Sequence, residues 1–401
     1  MRVPSLPHGE PVPPDGALPA AALAALPGRP LGIYVHVPFC ASRCGYCDFN
    51  TYVPGDDGEP AAFVRAALAE IRFARRVLGP AAPPASTVFF GGGTPTLLEP
   101  ELLAALLDAI RDAFGLEPGA EVTVEANPET VAPRMLGVLR AAGVTRISLG
   151  MQSARAHVLA ALERRHTPGR AVAAAAQAHE AGFEHVSLDL IYGTPGESDA
   201  DWAASVDAAL GAGVDHLSAY GLTVEPGTRL HAHVRAGTRR APEDDVLARR
   251  YRAADALLAG HGLRWYEISN WAADGAARCR HNLGYWHSAS WWGVGPGAHS
   301  HVGGVRWWNV LRPGTYAERL AAGVSPAAGR ERLTGADRRT ERIMLELRLA
   351  EGLALENDTR AAAAEQAAAG RLDRDALAED RAVLTLDGRL VGDAVARALV
   401  G

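Results

Sequence analysis

Tyr34-Val35-His36-Val37-Pro38-Phe39-Cys40-Ala41-Ser42-Arg43-Cys44-Gly45-Tyr46-Cys47-Asp48-Phe49 is the stretch on which the reading of this chain turns. A β-branched run stops at Pro38, and a loop with three cysteines at C-x3-C-x2-C spacing follows it. The chain has only four cysteines in 401 residues, too few for a disulfide scaffold. In a reducing compartment, clustered cysteines bind metal or do redox work. Three thiolates on one loop can converge on a single cluster. Iron–sulfur cubanes usually take four cysteines, one per iron. A set of three leaves one iron with an open position, which is where a metal centre does chemistry. A zinc site borrowing His36, or three unrelated core cysteines, are the structural alternatives.

Outward from this loop, short apolar runs alternate with Ala/Leu-rich stretches of helical period. Strands are expected at Ile33–Val37, Thr87–Phe90, Val122–Glu125, Arg146–Leu149, Val186–Leu190 and His216–Tyr220. Helices are expected near 60–77, 99–114, 130–141, 168–181, 198–212 and 245–260. A repeat of roughly 30 residues suits right-handed β-α-β crossovers. Six units predict an α/β fold, a partial parallel (β/α)6 barrel, since eight closed units need ~250 residues. A doubly wound open sheet has the same period and stays open as an alternative.

The rest of the chain divides by composition. Residues 1–30 are a proline-rich extension, and 31–260 hold the barrel. Residues 261–325 are aromatic-rich: seven of the eight tryptophans lie between Trp265 and Trp308, and strands and loops laid against the barrel mouth are expected there. Residues 326–401 read as a mostly helical, winged-helix-like domain, with a strand-turn-strand at Val383–Val391 around Asp387-Gly388. Wings suggest DNA, but a net charge of −6 argues against a protein that grips nucleic-acid phosphate. No apolar run reaches the ~18 residues of a membrane span, and no export signal is visible, so a cytoplasmic location is expected.

Polar residues recur where the strands end. Gly91-Gly92-Gly93-Thr94 follows the second strand, and a glycine turn lets backbone approach a ligand closely. Glu125 ends the third strand, Gln152 follows the fourth, Arg164 lies twelve residues on, and Asp189 ends the fifth. Groups at the carboxyl ends of parallel barrel strands face the ligand mouth.

With these residues in hand, the cysteine loop resembles the signature of the radical S-adenosylmethionine (SAM) superfamily. The resemblance implies a [4Fe–4S] cluster on Cys40, Cys44 and Cys47, whose open iron takes the amino and carboxylate groups of SAM. In that family an electron from the cluster cleaves SAM to methionine and a 5′-deoxyadenosyl radical, and the cofactor carries the hard chemistry. It further implies that Gly92, Gly93 and Thr94 hold the methionine end. Glu125, Gln152, Arg164 and Asp189 would grip the ribose, amino-acid and adenosine parts, with Tyr34 and Tyr46 flanking cluster and adenine.

Within the superfamily the chain is similar to the oxygen-independent coproporphyrinogen III oxidase group, which includes a sister family of heme chaperones, HemW. The oxidases carry a fourth cysteine two positions after the third; here Phe49 stands there. His281-Asn282-Leu283-Gly284-Tyr285-Trp286 matches the chaperones' H-N-x-x-Y-W motif. The resemblance therefore implies heme as a third ligand, with His281, Asn282, Tyr285 and Trp286 as its contacts, heme-requiring apo-proteins as partners, and an electron donor to the cluster. An imidazole can ligate iron and aromatic faces can cover a macrocycle. The axial ligand stays open among His281, His287, His299 and His301. The Gly293-x-Gly295-x-Gly297 loop is expected to be a backbone turn, and Cys279, with no partner in sight, inert. A coproporphyrinogen III oxidase is the alternative function; oligomeric state is not read from the sequence.

Overall fold

The computed structural model describes residues 7–55 and 58–401. Six parallel strands lie side by side in chain order: β1 (Leu31–Val37), β2 (Ala85–Gly92), β3 (Leu116–Ala126), β4 (Arg146–Gln152), β5 (His185–Tyr192) and β6 (His216–Gly221). A doubly wound sheet would reverse its strand order at a switch point. Here the order never reverses, and the partial barrel is the outcome. Helices Pro60–Leu78, Pro100–Phe114, Pro133–Ala142, Arg170–Glu180 and Asp199–Gly211 fill the crossovers. The first three open on a proline, whose missing N–H is not needed in the first turn. The fifth starts with a capping box between Ser198 and Asp201.

Strand alternation sets the two faces. In β1, Leu31, Ile33, Val35 and Val37 are buried in the main core, which leaves Tyr34 and His36 on the inner face. β4 and β5 alternate in the same way: Ile147, Leu149 and Met151, and Val186, Leu188 and Leu190, join the core, while Arg146, Ser148, Ser187 and Asp189 face the barrel interior.

The aromatic segment, expected to lie against the mouth, is itself part of the sheet. β7 (Arg264–Glu267) and β8 (Asn270–Ala272) form a hairpin antiparallel to β6. At the opposite edge β9 (Ser290–Val294) pairs parallel with β1, and β10 (His299–Val302), β11 (Val305–Asn309) and β12 (Ala327–Arg332) continue antiparallel. Trp292 packs edge-on to both Phe73 and Trp307 under this extension, so these two tryptophans are core. Residues 7–30 lie against it: Glu10 bridges Arg330, and Ala22 and Leu26 are buried. The first six residues of the proline-rich stretch lie outside the described residues.

The C-terminal region has its own small core of Ile343, Leu347, Leu353, Ala363, Leu372, Leu384, Val395 and Leu399. It is helical, but the expected strand-turn-strand at Val383–Val391 is not there. Leu386–Leu390 is a short helix whose cap, Thr385, accepts the Gly388 N–H. Gly388 is a glycine because a Cβ would lie 1.9 Å from the Arg371 carbonyl oxygen, a matter of close approach rather than of a hairpin turn. The short strand pairing in this region joins Leu353–Ala354 to Arg381–Ala382 instead. Arg389 fastens the region to the barrel, 3.8 Å over the Trp265 ring and bonded to Asp255. Among the described residues no helix is long and apolar enough to cross a membrane.

Candidate functional site

A cavity of about 830 Å³ opens at the carboxyl ends of the barrel strands. Its wall gathers Cys40, Cys44 and Cys47, Tyr34 and Tyr46, Gly92, Gly93 and Thr94, Glu125, Gln152, Arg164 and Asp189, with His281, Asn282 and Tyr285. The predicted site residues therefore converge from eight different stretches of chain. Trp286 does not line it; its side chain bonds to the buried carboxyl of Glu267.

The cysteine loop is held as an extension of the sheet. Cys40 N–H donates to Tyr52 and Tyr52 N–H to Pro38, while Gly93 and Thr94 donate to Val37 and Phe39. That last pair explains the glycines. A Cβ on Gly93 would lie 2.4 Å from the Phe39 carbonyl, and one on Gly92 would lie 2.6 Å from the His36 ring. The turn was expected to need glycine for approach to a ligand; its Cβ positions show that it needs glycine to pack on the cysteine loop. Thr94 also reaches back, its hydroxyl 3.8 Å from the Cys40 sulfur.

The three thiols are half-buried. Burial pushes the Cys40 thiol up, and pushes that of Cys47 up to about 11. Thiols so raised become good ligands once a cation replaces the proton. Among the described residues no three His, Cys, Asp or Glu side chains sit close enough to hold a single ion. His36 is not a spare ligand either, since one ring nitrogen meets the Tyr34 hydroxyl at 3.1 Å and the other the Asn50 carbonyl at 2.9 Å. Thiols on one loop, each free to take a different iron, fit a cluster better than mononuclear zinc.

Deeper in, Arg164 spans the wall, donating to the Cys44 sulfur at 3.7 Å and the Gly150 carbonyl at 3.1 Å. Gln152 sits beside it at φ 63°, a left-handed conformation uncommon outside glycine, next to a bulge in β4. A Cβ on Gly150 would meet Arg164 at 2.8 Å and Gln152 at 3.0 Å, so that glycine makes room for both. Glu125 accepts the Gly92 N–H at 3.1 Å. Burial, with the like charge of Asp189 behind it, lifts the Glu125 carboxyl to about 8. Asp189 is raised by burial too, and accepts from Ser148 at 2.9 Å. The Thr123 hydroxyl and Arg164 Nε are buried in this wall without partners. Two carboxyls and two orphaned donors around one void suit a polar, partly cationic small molecule such as SAM.

His281 lies in the cavity wall and is firmly held. Its ring lies flat on Phe89, shares one nitrogen with the Thr87 hydroxyl at 2.8 Å and the other with the Tyr285 hydroxyl at 2.9 Å. Burial pushes its pKa down to about 3. Both ring nitrogens are hydrogen-bonded inside the barrel, one donating and one accepting, so in this arrangement neither is free to ligate iron. His301 is likewise occupied, by Ala289 and Gly304, and His287 is ion-paired with Glu351. Cys279 is buried against Glu121, and its thiol is raised by burial.

Two residues that hold this architecture were not visible in sequence. Glu121 accepts the N–H groups of Arg280 and His281, anchoring the helix Arg280–Trp286 to β3. Glu70, fully buried on Pro60–Leu78, accepts from Gly295, Asn309 and Tyr316. Neither sits in a motif; a charged residue on the apolar stripe of a helix, as Glu70 is, was the one available signal.

The radical SAM superfamily model matches residues 34–209. Heme chaperone HemW of Mycobacterium tuberculosis is 54% identical over 384 residues, 94% of this chain and 97% of its own. The chain belongs to the HemW-type radical SAM family. Heme chaperone HemW of Bacillus subtilis is 34% identical, over 80% of this chain and 84% of its own. Among solved structures, coproporphyrinogen III oxidase (HemN) from Escherichia coli shares the fold with a TM-score of 0.81 at 22% identity, covering 94% of this chain and 92% of that one. Membership of the HemW-type radical SAM family implies a [4Fe–4S] cluster and SAM for the cavity just described.

Proposed function

We propose that this protein is a heme chaperone that holds a [4Fe–4S] cluster on Cys40, Cys44 and Cys47, binds SAM and heme, and passes heme to heme-requiring apo-proteins of the cytoplasm. The likeness along nearly the whole chain to relatives named heme chaperone carries this reading. Phe49 is its counterpart at residue level. It stands where the oxidases have a fourth cysteine, and it is 55% exposed, an unusual position for a large apolar side chain.

Bound in the cavity, cluster and SAM would supply one-electron chemistry, with an electron donor outside the chain. The protein's own residues bind and orient. Arg164 would balance thiolate charge at Cys44 while its second nitrogen stays on Gly150. Glu125 and Asp189 would accept hydrogen bonds from hydroxyl or ammonium groups. Gln152, fixed by its backbone, and Tyr34 and Tyr46, half-buried at the rim, would frame the ligand. Gly92, Gly93 and Thr94 would act through the backbone they lock to the cysteine loop. Of the aromatic motif, His281, Asn282 and Tyr285 line the cavity, whereas Trp286 supports it from behind.

The test is anaerobic reconstitution of the full chain, followed by heme titration and an assay of coproporphyrinogen III consumption. Heme binding without decarboxylation is expected. Sustained turnover of coproporphyrinogen III would move the protein to the oxidases.

A further inference from the structure

We propose that His299 is the residue that ligates heme iron, on an aromatic shelf formed by the inner face of β9, β10 and β11; this rests on the heme-binding reading above. Of the four histidines between Trp265 and Trp308, His281 and His301 have both ring nitrogens hydrogen-bonded, and His287 is tied to Glu351 at 3.2 Å. His299 is exposed, and among the described residues neither of its ring nitrogens has a hydrogen-bond or ion-pair partner. Partial desolvation and the nearby Arg306 charge keep its pKa below the ordinary value, favouring the neutral ring that metals require.

The surroundings suit a flat apolar ligand. His299 is registered opposite Trp308, and the two rings lie 6.0 Å apart at 33°. Trp291, on the same face through its pairing with His301, donates its indole N–H to the His299 carbonyl at 2.9 Å. That bond fixes the backbone from which the imidazole projects. The shelf also abuts the cysteine loop. Gly297, two residues before His299, would place a Cβ 2.7 Å from the Asn50 amide, and Asn50 donates to Pro296 at 3.0 Å and Leu311 at 2.9 Å. Phe49, the exposed aromatic, is the next residue along that loop. An exposed imidazole backed by the buried Trp308 ring, with the half-buried Trp291 beside it, is the arrangement that iron ligation asks for. Its exposure also suits a cargo that must leave again.

The experiment compares heme titrations of the full-length wild type with His299→Ala, His281→Ala, His287→Ala and His8→Ala. His8 is included because the adjacent Gly9 packs on Trp308. Absorption and electron paramagnetic resonance spectra report ligation. His299→Ala is expected to weaken heme binding at least tenfold and to lose the imidazole-ligated spectrum, with added imidazole restoring it. Cluster content and the circular dichroism spectrum should match wild type. Unchanged affinity and spectrum in His299→Ala, or loss of ligation in one of the other variants only, overturns the assignment while leaving the chaperone reading standing. A wild-type protein that binds no heme overturns both.

Discussion

Removing the Glu70 carboxylate should both destabilise the protein and change how its stability responds to pH. Glu70 is fully buried and takes the Gly295 N–H at 2.8 Å, the Asn309 amide at 2.8 Å and the Tyr316 hydroxyl. These donors come from the segment that backs the cysteine loop, where Gly295 sits against the His36 carbonyl. Glu70→Ala strands three buried donors at ~1–3 kcal/mol each, so a loss of about 3–6 kcal/mol is expected after neighbours relax. Against a typical stability of ~5–15 kcal/mol, that change is severe. Burial raises the Glu70 carboxyl from 4.5 to about 7, held there rather than higher by its donors. A carboxyl raised on folding keeps its proton longer in the folded state. Its contribution is therefore complete below pH 4.5 and is lost as pH rises toward 7. The whole shift corresponds to about 3 kcal/mol, of which about 2 kcal/mol falls between pH 5 and 7.5. Urea unfolding of wild type and Glu70→Gln at those two pH values checks this, since the comparison cancels other titrating groups. Wild type should lose about 2 kcal/mol more than the glutamine variant over the interval. Parallel pH dependence in the two proteins would falsify the assignment of a titrating Glu70.

The other expectations concern the cavity directly. Replacing Cys40, Cys44 or Cys47 with Ala should abolish the cluster's absorption after reconstitution, whereas Cys279→Ala, buried against Glu121, should keep it; iron loss in Cys279→Ala alone would refute the ligand set. Glu125→Ala or Asp189→Ala should weaken SAM binding about ten- to hundredfold by calorimetry, with the cluster retained; unchanged affinity in both would sink the proposed shell. Gly93→Ala should lower cluster retention, because its Cβ would meet the Phe39 carbonyl at 2.4 Å and push the cysteine loop off the sheet; full iron content in that variant would contradict the packing argument.

What sequence could show and what it could not divides along a physical line. The six barrel strands were legible because each carries a short run of apolar residues that packs under the helices, as Ile33, Val35 and Val37 do in β1 and Val186, Leu188 and Leu190 in β5. The cavity-lining residues were legible for a related reason: groups at the carboxyl ends of parallel strands face the mouth, and Cys40, Glu125 and Asp189 each come at the end of a recognisable strand. Asp387-Gly388 misled because a glycine serves a hairpin turn and a close backbone approach equally well, and only the neighbour, here the Arg371 carbonyl, decides between them. The surroundings of His281 were hidden for a similar reason. An imidazole within an aromatic motif reads as a ligand, yet its hydrogen-bond partners, Thr87 and Tyr285, are fixed by strand register and helix pitch rather than by any local pattern. Glu70 was invisible because its three partners lie 225 to 246 residues away. Polar groups whose bonds close locally announce themselves in sequence; those whose bonds close across the sheet do not. The aromatic segment is of the second kind throughout, which is why its strands were expected over the mouth when they in fact pair with β6 at one edge and β1 at the other. That placement has a functional consequence. Because β9 continues the sheet from β1, the face that carries His299 and Trp308 is the same surface that, a few strands away, carries Tyr34 and the cavity. A ligand held on the shelf and one held in the barrel would thus share a single sheet and the cysteine loop packed against it.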